Sequence, residues 1–191
     1  MPIYNIPFPV LTICPEAIST QDKFNYTKLM QKKEDKLLLT PSDVVDEVKL
    51  EFHLRNCIYM TESKNCSSMF IPVITDEGVC YPFNMLDRYE IFRENVIHHK
   101  DYHRFPNTIN WSLEGGYTEG AGVNAYPDRA YLTGATKGFS FNILTPNGDL
   151  DFACKDAFQG YRVLLHAPMT MPRPSQKYFR IPLDQSVVGA I

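Results

Sequence analysis

Residues 57–84 read CIYMTESKNCSSMFIPVITDEGVCYPFN and contain three of the five cysteines in the 191-residue chain. Phe70 to Thr75 is apolar and β-branched, Asp76-Glu77-Gly78 has turn chemistry, and Val79, Tyr81 and Phe83 alternate with Cys80 and Pro82. Two short runs of strand-forming residues separated by an acidic-Gly turn predict a β-hairpin. The redox state of the whole chain is decided largely within this stretch.

On the amino-terminal side, Pro7 and Pro9 bar a helix, and Val10 to Ile13 predict a strand ending at Cys14. Residues 16–39 are polar and helix-permissive, without a clear apolar stripe. At Thr40-Pro41-Ser42-Asp43 the threonine suits an N-cap, the proline suits the first helical position, and the aspartate suits the first turn. Val44, Val45, Val48 and Phe52 follow at helical spacing, which predicts a helix ending near Asn56.

On the carboxyl-terminal side, 85–96 reads as a short helix or loop. His98, His99, Asp101 and His103 follow, and the i, i+4 pair His99/His103 has a spacing that zinc sites on helices use. No third ligand lies at a diagnostic distance, and Pro106 would end a helix at once, so a solvated loop is the plainer reading. Residues 107–137 are loop-rich, with Trp111 as a packing anchor. Gly115-Gly116 lacks the preceding strand and the following Lys-Ser/Thr of a phosphate loop. Strands are predicted over Phe139–Ile143, Leu150–Cys154, Tyr161–Leu165 and Tyr178–Ile181, with a turn at Pro146-Asn147-Gly148-Asp149.

A length of 191 residues suits one domain with a real core. Charged residues make up 21% and the hydrophobic set 44%, which excludes wholesale disorder. With 14 Pro, 12 Phe and 11 Tyr, strands and loops are favoured over a helical bundle. A net charge of -3 supplies no basic footprint, so nucleic acid is not expected as a partner. The first residues lack the basic and apolar regions of a signal peptide, and no run approaches the roughly 18 apolar residues of a membrane-spanning helix.

The cysteines point the other way. Two bridges and a free thiol can be arranged in several ways, and five reduced core thiols are the plain alternative. Cys57 and Cys66 bracket a short polar loop, and Cys14 and Cys80 lie on strands able to share a sheet. Loop closure would make a Cys14–Cys80 bridge worth about 4 kcal/mol and a Cys57–Cys66 bridge under about 3 kcal/mol. Asn25-Tyr26-Thr27, Asn65-Cys66-Ser67 and Asn110-Trp111-Ser112 fit the glycan acceptor pattern, against roughly one such match by chance. Together these features suggest an extracellular piece of a larger protein, whose targeting and membrane segments lie outside residues 1–191.

Several motifs in register resemble one family. IPFPVLTIC at 6–14 resembles the segment following the first transmembrane helix of degenerin/epithelial sodium channel subunits. GVCYPFN at 78–84 resembles their G-x-C-Y-x-F-N signature, carried here by Gly78, Cys80, Tyr81, Phe83 and Asn84. WSLEGGY at 111–117, YPDR at 126–129, GFSFNIL at 138–144 and FQGYRVLLHAP at 158–168, which includes His166, resemble the insect pickpocket branch.

The resemblance implies an α+β fold: a mostly antiparallel β palm and β-ball core with a helical finger insertion, linked by disulfides. Residues 1–15 would be the first palm strand, 16–56 the helical finger part, and 57–191 the palm and β-ball strands with long loops. It also pairs Cys14 with Cys80 and Cys57 with Cys66, and leaves Cys154 for a partner in the absent thumb. Further implications are plasma-membrane localisation on the extracellular side and assembly with other channel subunits as a homo- or heterotrimer. Sodium ions would pass through the full-length pore and an extracellular ligand would act on this region, with no cofactor and no catalysis.

Two departures qualify that picture. Pro82 replaces a common Thr, which places its strand at an edge or bulge. Met169, Thr170 and Met171 stand where an acidic residue is usual after the histidine, so proton sensing there is not expected. A secreted disulfide-bonded glycoprotein domain without channel function is the rival reading, and a metal enzyme built on the histidines is a more distant one.

Overall fold

The structure, a computed structural model, describes residues 5–17, 53–102, 109–131, 134, 137–145 and 159–189. In chain order the strands are β1 Val10–Pro15, β2 His53–Tyr59, β3 Glu62–Lys64, β4 Val73–Thr75, β5 Gly78–Phe83, β6 Trp111–Ser112, β7 Gly116–Tyr117, β8 Phe139–Leu144, β9 Gly160–His166 and β10 Phe179–Pro182. Among the described residues two one-turn helices, α1 Cys66–Met69 and α2 Arg88–Ile91, accompany them. A five-stranded antiparallel sheet runs β10-β9-β1-β5-β4, and a three-stranded one runs β3-β2-β8. Among the described residues the fold is mostly antiparallel β with little helix.

β4 and β5 form the predicted hairpin around a two-residue Asp76-Glu77 turn, with Thr75 opposite Gly78. Gly78 has φ 111°, a backbone state in which a side chain is strained even though nothing crowds it. β5 and β9 do not show one buried and one wet face: Cys80 to Phe83 and Tyr161 to Leu164 are all buried. Both strands are interior to the sheet and both of its faces are covered, so the alternation selects which cover a residue meets.

One cover is aromatic. Leu11, Ile13, Tyr81, Phe83, Tyr161 and Val163 point to it, and β2 and β8 bring up Tyr59, Phe139 and Phe141. Phe83 stacks on Phe139 with centroids 4.6 Å apart, and Tyr59 meets Phe8 and Phe83 edge-on, each at 5.3 Å. On the opposite side Val10 and Val73 pack with Met85 and Tyr102, while Cys14, Cys80 and Leu164 cluster together. Gly160 lets β9 approach β10 closely, because a Cβ there would lie 2.4 Å from the Ile181 carbonyl oxygen.

Two expectations need correction. The helix predicted to end near Asn56 is strand from His53 onward, with most of its length (41–52) outside the described residues, as is nearly all of the helical finger part assigned to 16–56. Pairing with β8 makes His53 to Arg55 strand where the helix is predicted to end, and Asn56, at φ 53°, marks a register shift between Arg55 and Ile58. Pro82 lies on neither an edge strand nor a bulge. β5 is flanked by β1 and β4, and Phe70 bridges Phe83 in the β4 register. The Ile71 N–H donates to the Pro82 carbonyl at 3.1 Å, so the missing Pro82 N–H costs only the reciprocal bond, on the side of the short segment before β4. The described part of the 107–137 region is largely turn and irregular chain, as predicted, and holds the short β6–β7 ladder, with Trp111 half-buried opposite Tyr117.

Candidate functional site

Disulfides join Cys14 to Cys80 and Cys57 to Cys66. The first links the neighbouring strands β1 and β5, at a Cα–Cα distance of 4.4 Å, and closes a separation of 66 residues. The second spans 9 residues, from β2 to the first residue of α1. Cys154 and the predicted strand around it lie outside the described residues.

Beside the Cys14–Cys80 bridge the sheet carries charge. Arg162 sits opposite Cys14 on one neighbour and opposite Arg180 on the other. Two guanidiniums side by side repel, and the arrangement needs a carboxylate. Glu16 supplies it: its Oε1 lies 2.7 Å from Arg180 Nε and 3.4 Å from Arg162 Nε, with the Glu16 side chain 8% exposed. Glu77, in the hairpin turn, reaches Arg162 Nη1 at 3.2 Å, and the Tyr178 ring lies against both guanidiniums. Burial works against the Arg162 charge, and Glu77, Tyr178 and Glu16 outweigh it, so its pKa is held above the ordinary arginine value. Two carboxylates and two guanidiniums balance. The cluster ties the end of β1, the β4–β5 turn, β9 and β10 into one unit.

His166 ends β9 on the same face. Its Nε2 lies 2.7 Å from Thr12 Oγ1 and its Nδ1 lies 3.0 Å from the Ala167 carbonyl oxygen. A neutral ring satisfies both contacts when Nδ1–H donates to the carbonyl and Nε2 accepts from the threonine hydroxyl. Burial pushes the His166 pKa below its ordinary value, opposed by the Ala167 and Thr170 backbone.

Asn84 is fully buried with φ 66°, a backbone state asparagine tolerates better than most residues. Its Nδ2 donates to the carbonyls of Phe8 (2.6 Å) and Asp128 (3.0 Å), and its Oδ1 accepts from the Asp128 N–H at 2.6 Å. The Phe8 N–H donates to the same Asp128 carbonyl at 2.8 Å. One side chain therefore binds the lead-in to β1, the end of β5 and the loop at 126–129. The Tyr126 hydroxyl donates to the Met85 carbonyl, and Arg129 packs on the Tyr117 ring at 3.9 Å. Tyr81 and Phe83, the remaining large side chains of the signature, are core residues, and burial raises the Tyr81 pKa well above its usual value.

Of the histidine group, His98 and His99 lie in irregular chain. His99 is buried and its Nδ1 accepts from the Asp101 N–H at 3.1 Å; His98 rests between Phe92 and Tyr102, where burial and then Arg88 lower its pKa. His103 lies outside the described residues, among which no group of three or more His, Cys, Asp or Glu is placed to hold a metal ion. Of the acceptor asparagines, Asn65 is exposed, Asn110 is half-buried and Asn25 lies outside the described residues. Glu16, Glu77, Arg162 and Arg180 escaped the sequence reading. The signal available was an arginine inside the apolar run Tyr161–Leu165, which when buried demands a carboxylate.

The Cys14–Cys80 bridge, the Glu16 ion pairs and the Asn84 side chain together tie β1 to the elements around it. The family model for the amiloride-sensitive sodium channel matches residues 30–191, and the chain belongs to that family of ion channels. Among curated proteins it is similar to Pickpocket protein 28 of Drosophila melanogaster, at 26% identity over 94% of this chain and 35% of the relative. The chain thus spans about a third of that relative's length. Among the described residues no helix is long and apolar enough to cross a membrane.

Proposed function

We propose that residues 1–191 are an extracellular part of a sodium channel subunit, coupling an extracellular stimulus to a pore formed by segments outside this stretch. In this reading the five-stranded sheet is the palm, the three-stranded sheet belongs to the β-ball, and 16–56 carries the finger. The subunit sits in the plasma membrane and assembles with others as a trimer. The observation that carries the reading is the family match over a chain whose central strand, β1, is cross-linked to β5 and charge-tied to β9 and β10. Such a sheet moves as a body, as is needed to pass a rearrangement onward.

The test is the complete transcript together with current recordings from the full-length subunit. Apolar segments of about 18 or more residues are expected both upstream and downstream, as is an amiloride-blocked sodium current when the subunit is expressed with its assembly partners. A cleavable signal peptide and no spanning segment on either side would replace this reading with that of a secreted glycoprotein domain.

A further inference from the structure

We infer that Asn65 is an N-glycosylation site whose occupancy is set by a race between sugar transfer and closure of the Cys57–Cys66 bridge. The inference rests on the extracellular reading above. Its starting point is that the middle residue of the acceptor tripeptide Asn65-Cys66-Ser67 is itself half of a disulfide.

In the folded chain the tripeptide is wrapped on itself. Asn65 Oδ1 accepts from the Ser67 N–H at 3.2 Å and from the Ser67 hydroxyl at 2.9 Å, while Ser68 Oγ donates to the Asn65 carbonyl at 2.9 Å. Cys66 is buried in the aromatic core cluster. A glycosyl transferase must engage both Asn65 and the Ser67 hydroxyl on free chain, and here that hydroxyl is spent and the intervening residue is anchored. The product, however, fits the fold: Asn65 is exposed and its contacts run through Oδ1 and the carbonyl, leaving Nδ2 to carry a sugar into solvent. Transfer is therefore compatible with the native structure but has to precede it.

The two reactions compete for the same seconds. Ser67 follows Cys66 directly, so at roughly 5–20 residues per second the acceptor tripeptide and the second thiol emerge together. Bridge formation takes seconds or longer, depending on the oxidant. In transfer, Asn65 Nδ2 attacks the anomeric carbon of a lipid-linked oligosaccharide diphosphate. The carbon–oxygen bond to the diphosphate breaks, the diphosphate stays with the lipid, and the amide gives up one proton. In closure, the Cys57 and Cys66 thiols lose two protons and two electrons to a protein disulfide, which becomes a dithiol. Asn110 lies outside this competition: its tripeptide contains no cysteine, its N–H donates to the Tyr126 carbonyl, and its carbonyl accepts from the Thr118 N–H.

The test is site occupancy by mass spectrometry after enzymatic deglycosylation in heavy-oxygen water, on residues 1–191 secreted from eukaryotic cells behind a cleavable signal peptide. Partial occupancy of Asn65 is expected in the wild type, rising about twofold or more in Cys57→Ser, with Asn25 and Asn110 unchanged. Ser67→Thr, which keeps the bridge and offers a better acceptor hydroxyl, is expected to raise occupancy as well, and it keeps the test valid if Cys57→Ser is retained in the cell. Equal occupancy of Asn65 in the wild type and both variants overturns the inference, as does a bare Asn65 in all three while another acceptor carries glycan. If every acceptor is bare and every cysteine alkylates without reductant, the extracellular reading falls and takes the inference with it.

Discussion

The two faces of the five-stranded sheet are built from alternate residues of the same strands, yet they do different work. On one, Phe83, Phe139, Tyr59 and Phe70 form a continuous aromatic layer in which any ring has several neighbours. On the other, beside the apolar cluster of Val10, Val73, Met85 and Tyr102, lie specific contacts: Cys14 with Cys80, Thr12 with His166, and Glu16 with Arg162 and Arg180. Burial on the first face is non-directional and supplies stability in proportion to area. The second face adds covalent and polar groups that are satisfied only by particular partners, so it helps fix which strands lie together and in what register. Burial thus holds the sheet from both sides, while one face also specifies it.

Breaking the aromatic face should cost most. Phe83→Ala removes the central ring, and a loss of about 3–5 kcal/mol in unfolding free energy is expected, read from the urea midpoint with an unchanged slope. An effect below 1 kcal/mol (~) would mean the layer collapses around the gap. Removing the cystine with Cys14→Ala and Cys80→Ala together should cost somewhat less, about 2–4 kcal/mol, and should act differently. Because the bridge mainly constrains the unfolded chain, its loss should steepen the urea dependence, which Phe83→Ala leaves alone. The smallest effect concerns pH. A histidine with a lowered folded pKa contributes stability that is complete above its unfolded value of about 6.5 and is lost as pH falls toward and through the folded value. Stability should therefore drop on acidification over that window. His98 shifts in the same direction, so the contribution of His166 is the part of the slope that His166→Gln removes.

What could be read from the sequence follows the range of the forces involved. The β4–β5 hairpin was legible because its turn chemistry and both its strands lie within fourteen residues, 70–83. β1, β8, β9 and β10 were legible from β-branched runs and alternation. His53 to Asn56 misled because the preceding valines carry helical spacing, whereas the partner that makes this stretch a strand is β8, more than eighty residues away. The site divides in the same way. Asn84 stood out as part of a motif, but its task depends on Phe8 and Asp128, which no local pattern connects. Glu16 and Glu77 look like ordinary polar residues until β9 places Arg162 between them.

β1 runs antiparallel to β5 on one side and to β9 on the other, and the Asn84 side chain holds the residues just before it. Consider a pull along the axis of β1. Its rungs lie across the load, so they share the force and must yield together, with a covalent cross-link at Cys14 if they do. Among the described residues β10, by contrast, is bonded to β9 alone and lies at the margin, so a pull across it opens one rung at a time. Under tension the sheet would keep its middle and shed its border, and the direction of a force would matter as much as its size.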